Sequence, residues 1–153
     1  SVEGFSKFFN KKKINQIKNF KNFKFFDENI FLYLENDDFC KRLIDHNEEI
    51  YVVPKSKINH LGGKAVSQKF SEEVELSRNW HWIWSKFYFN RKHKGYFFAL
   101  INGLPTFFSA VLKCILYLII FNPKKSKIYL HRAMGYLNAA IGRKSFFRPN
   151  IKI

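Results

Sequence analysis

The sequence predicts an α/β fold class, a strand–helix–strand unit followed by amphipathic, membrane-associating helices. Three observations lead there. Short runs of branched and aromatic residues at 30–34 ("IFLYL") and 50–54 ("IYVVP") read as buried strands, the second ending at proline. Between them an acidic turn leads into a segment that places Phe39, Cys40, Leu43 and Ile44 on one helical face. The stretch "YFFALINGLPTFFSAVLKCILYLIIF" at 96–121 is then the most apolar part of the chain.

The totals bound the possibilities. A chain of 153 residues has the size of one domain and can bury a core. Its 27 Lys and Arg against 12 Asp and Glu, a formal charge of +15, favour an anionic partner: nucleic acid, anionic lipid or a phosphate-bearing substrate. Aromatics make up 19% of the residues, so large flat side chains are available for any interface. Cys40 and Cys114 lack partners at zinc-site spacing, and reduced thiols in a cytosolic setting are expected. The chain opens on Ser1 without a signal-peptide pattern, and upstream sequence is expected to be missing.

Taken in order, Phe5, Phe8 and Phe9 suggest a short buried strand, and Lys11, Lys12 and Lys13 a solvated turn. Asp27, Glu28 and Asn29 form a turn before the strand at 30–34. Asp37 or Asp38 starts the helix, where an acid complements the exposed N–H groups; Lys41, Arg42 and His46 suit its later turns. Asn47, Glu48 and Glu49 end it. After the strand at 50–54, an extended piece at 56–65 runs into Gly62 and Gly63.

Residues 72–92 read as a helix with early acids and late bases. Trp80, Trp82, Trp84, Phe87, Tyr88 and Phe89 spread around it, so burial on several sides is expected. In the apolar stretch Gly103 and Pro105 interrupt the pattern, leaving about 16 uninterrupted residues where a clean membrane span needs roughly 20. A helix pair lying on the membrane surface or re-entering it fits better. Arg91, Lys92 and Lys94 before it and Lys124, Lys125 and Lys127 after it suit an anionic leaflet. The competing reading is a pair of core or oligomer-interface helices. In the last helix Ile128, Leu130, Ala133, Met134, Leu137 and Ile141 make one apolar stripe, with Gly142 as its stop. Three segments result: 1–70, the aromatic-rich helix at 71–95, and a basic, apolar tail at 96–153.

The chemistry concentrates in Glu35-Asn36-Asp37-Asp38. A strand that delivers a carboxylate at its carboxyl end builds a common kind of α/β site, and such a carboxylate can take a proton from an attacking hydroxyl. The plainer alternative is a helix-capping acid with solvated neighbours. His60 is a possible metal ligand or a structural histidine. Gly62 and Gly63 permit close approach of a phosphate, although neither a P-loop nor a dinucleotide fingerprint is present.

The run "FDENIFLYLENDDFCKRLIDHNEEIYVVPKSKINHLGG" at 26–63, with "RNWHWIWSKFYFNRKHKG" at 78–95, resembles the C-terminal half of the catalytic domain of family 2 glycosyltransferases, closest to bacterial rhamnosyltransferase-like members. The resemblance covers roughly residues 4–95. It implies a partial GT-A (Rossmann-like) fold and inverting transfer of a sugar from a nucleotide-sugar donor. The acceptor would be a hydroxyl of a surface glycan or lipid-linked molecule, and the enzyme would lie at the cytoplasmic face of the inner membrane. The acidic turn would supply the general base, and a divalent ion, Mg or Mn, would hold the donor diphosphate with His60 as a contact. Asn36, Asp37, Arg42, Gly62, Gly63 and Trp80 would line the substrate. Two departures matter. Asn36 stands where many members carry the basic Asp, which shifts the proton-accepting duty to Glu35, slightly favoured by position, or Asp38. The family's nucleotide-binding half with its Asp-x-Asp motif is absent, so this chain alone is expected to be inactive. The alternative function is a non-catalytic basic module binding a membrane or nucleic acid; no nucleic-acid-binding signature is present, and nucleic acid is not the expected partner.

Overall fold

A computed structural model describes residues 25–51, 53, 55 and 70–150. They form four helices: α1 (Glu35–Asp45), α2 (Ser71–Lys94), α3 (Tyr96–Ile119) and α4 (Pro123–Ala140). The expected α/β class, and with it the partial GT-A (Rossmann-like) architecture, is therefore wrong for the described residues, which contain no strand. The local reasons are visible. At 30–34 the amide of Ile30 turns back to the Asp27 carbonyl (2.9 Å), and Tyr33 and Leu34 have φ of 69° and 64°. A left-handed pair cannot run as an extended strand. Ile50, Tyr51 and Val53 are exposed and have no neighbouring strand among the described residues. Branched and aromatic residues favour strands only where a pleated neighbour exists to pack on. The strands expected at Phe5–Phe9 and at 56–65 lie outside the described residues.

The helix predicted at 72–92 is present as α2. Acids in its first turn (Glu72, Glu73) and cations in its last (Arg91, Lys92, His93, Lys94) match the charges of its two ends. Trp80, Ile83, Trp84 and Phe87 of α2 meet Ala99 of α3 and Tyr136 and Ala139 of α4 to make the core. Burial is on several sides, as expected from the aromatic crowding, but Trp82 points outward and is 45% exposed.

The interruption expected at Gly103 and Pro105 does not occur: α3 runs unbroken through both. Its 24 residues span about 36 Å, longer than the hydrocarbon core of a bilayer. Gly103 serves close packing instead, because a Cβ there would lie 2.3 Å from the Tyr136 ring. Gly135 does the same between α4 and α2, where a Cβ would come within 2.4 Å of the Trp80 carbonyl oxygen.

Of the apolar stripe expected on the last helix, Leu130, Met134, Leu137 and Ile141 are exposed, Ile128 is half-buried and Ala133 is buried. The buried side of α4 is made of Ser126, Ala133, Gly135, Tyr136, Asn138 and Ala139. In α3 the outward face carries Phe97, Ile101, Phe108, Leu112, Ile115 and Ile119, whereas only Ala99 and Ala110 are buried. Small residues between helices and large apolar ones outside are the arrangement of helices packed in lipid. Two polar groups between α3 and α4 are satisfied internally: the Ser126 hydroxyl donates to the Cys114 carbonyl (3.0 Å), and Tyr136 donates to that of Leu100 (2.9 Å).

Candidate functional site

The chain enters α1 through the left-handed pair Tyr33 and Leu34, which rotates the first helical turn against α2. Glu35, Asp37 and Asp38 all fall in that turn, where negative charge meets the positive end of the helix dipole. The helix starts at Glu35, two to three residues earlier than expected, so the acids lie inside it rather than before it.

Asp38 is fully buried and ringed by nitrogen donors. Arg42 Nε, one turn on, donates to Oδ2 (2.9 Å). From the last turn of α2, Lys92 Nζ (2.7 Å) and His93 Nε2 (2.9 Å) both approach Oδ1. Arg42 also donates to the Phe25 carbonyl (2.7 Å), and Lys92 to Asp27 (2.7 Å), which extends the network to the turn before α1. Burial opposes ionisation of Asp27, but hydrogen bonds from Lys92, the Asn29 amide and Tyr88 outweigh it and bring its pKa down to about 2. The Tyr88 hydroxyl is pushed up to about 12 by burial and by the Asp27 carboxylate that accepts its hydrogen bond. Asp38 carries donors on both of its carboxylate oxygens. It pins α1 to α2.

Glu35 differs. Its Oε1 accepts only a long hydrogen bond from Asn36 (3.5 Å), and its Oε2 is buried with no hydrogen-bond partner. A buried carboxylate oxygen left unsatisfied costs stability, and such groups concentrate where chemistry needs them. Asn36 and Asp37 are half-buried beside it. Trp80 lies in the core, stacked against Trp84 and Phe147, and is 1% exposed. The α2 indole that faces solvent is Trp82, edge-on to Tyr33 with centroids 5.3 Å apart. These two rings border an open cleft of about 560 Å³, also lined by Glu75, Arg78, Asn79 and Arg132. Arg132 Nε donates to Asn79 Oδ1 (2.7 Å), which holds the polar side in place. His60, Gly62 and Gly63 lie outside the described residues.

A metal has no ready seat in this part of the chain. Among the described residues no three His, Cys, Asp or Glu side chains converge on one point, and the Asp38 carboxylate is already taken by cationic donors.

Sequence reasoning missed Lys92, His93, Asp27 and Tyr88 as partners of the acidic turn. The bases of "NRKHK" signalled only a helix C-terminus; their pairing with an acid more than fifty residues away is a tertiary event. Trp82 carried no mark to distinguish it from Trp80 and Trp84.

No family model, no curated protein and no solved structure matches this chain.

Proposed function

We propose that this chain is the acceptor-side, membrane-attaching part of a glycosyltransferase that moves a sugar from a nucleotide-sugar donor to a hydroxyl of a glycan or lipid-linked acceptor. The observation that carries the reading is the buried, unpartnered Oε2 of Glu35. Of the two candidate bases, Glu35 has one carboxylate oxygen with no donor on it, whereas both oxygens of Asp38 carry donors. Glu35 would accept the proton of the acceptor hydroxyl as that oxygen attacks the anomeric carbon and the nucleoside diphosphate departs. Tyr33 and Trp82 offer apolar ring faces to a sugar, and Arg78, Asn79 and Arg132 offer donors to its hydroxyls. A divalent ion, Mg or Mn, would neutralise the donor diphosphate, with His60 as its candidate contact.

The attachment is to an anionic membrane surface at the cytoplasmic face. The outward apolar faces of α3 and α4 support it, with Arg91 and Lys94 near one end of the hairpin and Lys124, Lys125 and Lys127 near the other.

Sugar transfer by the complete enzyme on membranes, with Glu35→Gln, tests the reading. Loss of a general base lowers the rate by about 10²–10⁴-fold. An unchanged rate removes Glu35 from the chemistry. Anionic-vesicle binding without transfer from any nucleotide-sugar donor would leave the non-catalytic membrane-binding module.

A further inference from the structure

A second pocket lies apart from Glu35, at the end of the molecule where α2 and α4 finish and α3 begins. It encloses about 450 Å³, within the size range of small-molecule sites, and is lined by Trp84, Tyr88, Arg91, Lys92, Arg143 and Lys144. We propose that it binds a terminal phosphate or diphosphate group, carried by a lipid whose chains lie along the exposed face of α3.

The charge count points to this ligand. Lys92 is neutralised by Asp27 and Asp38. Among the described residues Arg91, Arg143 and Lys144 have no carboxylate partner, so three cations line one cavity uncompensated by acids there. The C-termini of α2 and α4 each supply about half a negative charge and the N-terminus of α3 about half a positive one, which leaves about two and a half positive charges over. A phosphate monoester carries about −1.5 to −2 at neutral pH, whereas a diester carries one. The surplus therefore matches a terminal phosphate or a diphosphate better than an ordinary phospholipid diester.

The pocket is also built rather than incidental. Gly142, at φ +77°, turns the chain back so that Arg143 and Lys144 face the end of α2. The Trp84 indole N–H donates to the Arg143 carbonyl (3.0 Å) and fixes that turn. The Arg91 guanidinium reaches across, 3.6 Å from where a Gly142 side chain would begin. Tyr96 opens α3 beside it and donates to the Ala140 carbonyl (3.3 Å). Phe97 and Ile101, in the next turns of α3, are exposed and provide the apolar track for a lipid chain.

Only the lipid source depends on the membrane attachment proposed above; the phosphate site does not depend on sugar transfer. The test uses the full chain with phosphatidylcholine vesicles containing phosphatidate or phosphatidylglycerol at matched surface charge, and with inorganic diphosphate in solution. Phosphatidate is expected to be preferred by about tenfold, and the pair Arg91→Gln and Arg143→Gln to abolish the preference. Lys144→Gln, which alters an exposed side chain, lowers it by about fivefold without risk to the fold. The pair Lys124→Gln and Lys125→Gln, at the opposite end of the hairpin, weakens binding to both lipids equally. Saturable binding of inorganic diphosphate, lost in the Arg91/Arg143 pair, with no vesicle preference would keep the site and assign it to a soluble phosphate. Equal binding to both lipids together with no saturable diphosphate binding overturns the proposal.

Discussion

Replacing Asp38 by Asn separates an anchoring role from a chemical one. The substitution keeps the shape of the side chain and removes its charge. It leaves Arg42, Lys92 and His93 facing a neutral amide, one end of which presents N–H groups to N–H donors. Breaking a buried ion pair by removing one partner costs about 3–5 kcal/mol. The low end applies here, because Arg42 keeps the Phe25 carbonyl and Lys92 keeps Asp27 as acceptors, and Lys92 is 28% exposed. The loss is confined to the α1–α2 junction, so local opening reports it best. A cost of about 3 kcal/mol raises amide hydrogen exchange in α1 on the order of 100-fold. The α3–α4 interface shares no part of the network and keeps its protection. Exchange measured by mass spectrometry on parent and variant reads both regions at once. If α1 amides in Asp38→Asn exchange within about twofold of the parent while sugar transfer is lost, Asp38 acts in the chemistry and the anchoring argument fails.

Other outcomes follow from the same structure. Glu35→Gln exchanges an unpartnered buried oxygen for an unpartnered buried amide and removes a charge from the positive end of α1, so α1 exchange rises by no more than about fivefold; a larger rise would mean that Glu35 helps hold the fold. Gly135→Ala gains about 1 kcal/mol of helix propensity but drives a methyl against the Trp80 carbonyl, which cannot rotate away. Overpacking costs about 1–3 kcal/mol, so thermal unfolding should shift down by a few degrees, and an upward shift would show that α2 and α4 separate freely. His81 donates from Nε2 to the Phe147 carbonyl (2.7 Å) and can accept at Nδ1 from Ser145 (3.1 Å), a neutral tautomer held in the core. Burial lowers its pKa, so its contribution is fully present above the unfolded value near 6.5 and is lost as pH falls below it. Denaturation midpoints at pH 7.5 and 5.5 should differ in the parent and converge in His81→Gln.

The local sequence carried much of the helical layout. Early acids and late bases located α2 within two residues at each end, and the Gly142 stop falls two residues past the end of α4. These signals are local because helix ends are satisfied by residues within a turn of them. The strands at 30–34 and 50–54 could not be read that way. Their apolar runs record a preference for burial, which a bend at Tyr33 and Leu34 meets as well as a strand does: Ile30 is buried there without any sheet.

Composition and periodicity by themselves determined that the chain is basic and aromatic, that helices lie at 72–92 and before Gly142, and that an acidic cluster marks the start of a helix. Tertiary structure alone decided which face of each helix turned inward. The stripe of Leu130, Met134, Leu137 and Ile141 has the same spacing whether it meets a core or a lipid surface. Close approach at Gly103 and Gly135 selected the small face for packing and left the large one outside. It also set the two acids apart: Asp38 became an anchor because the cationic end of α2 came to rest on it, and Glu35 Oε2 was buried without a donor among the described residues.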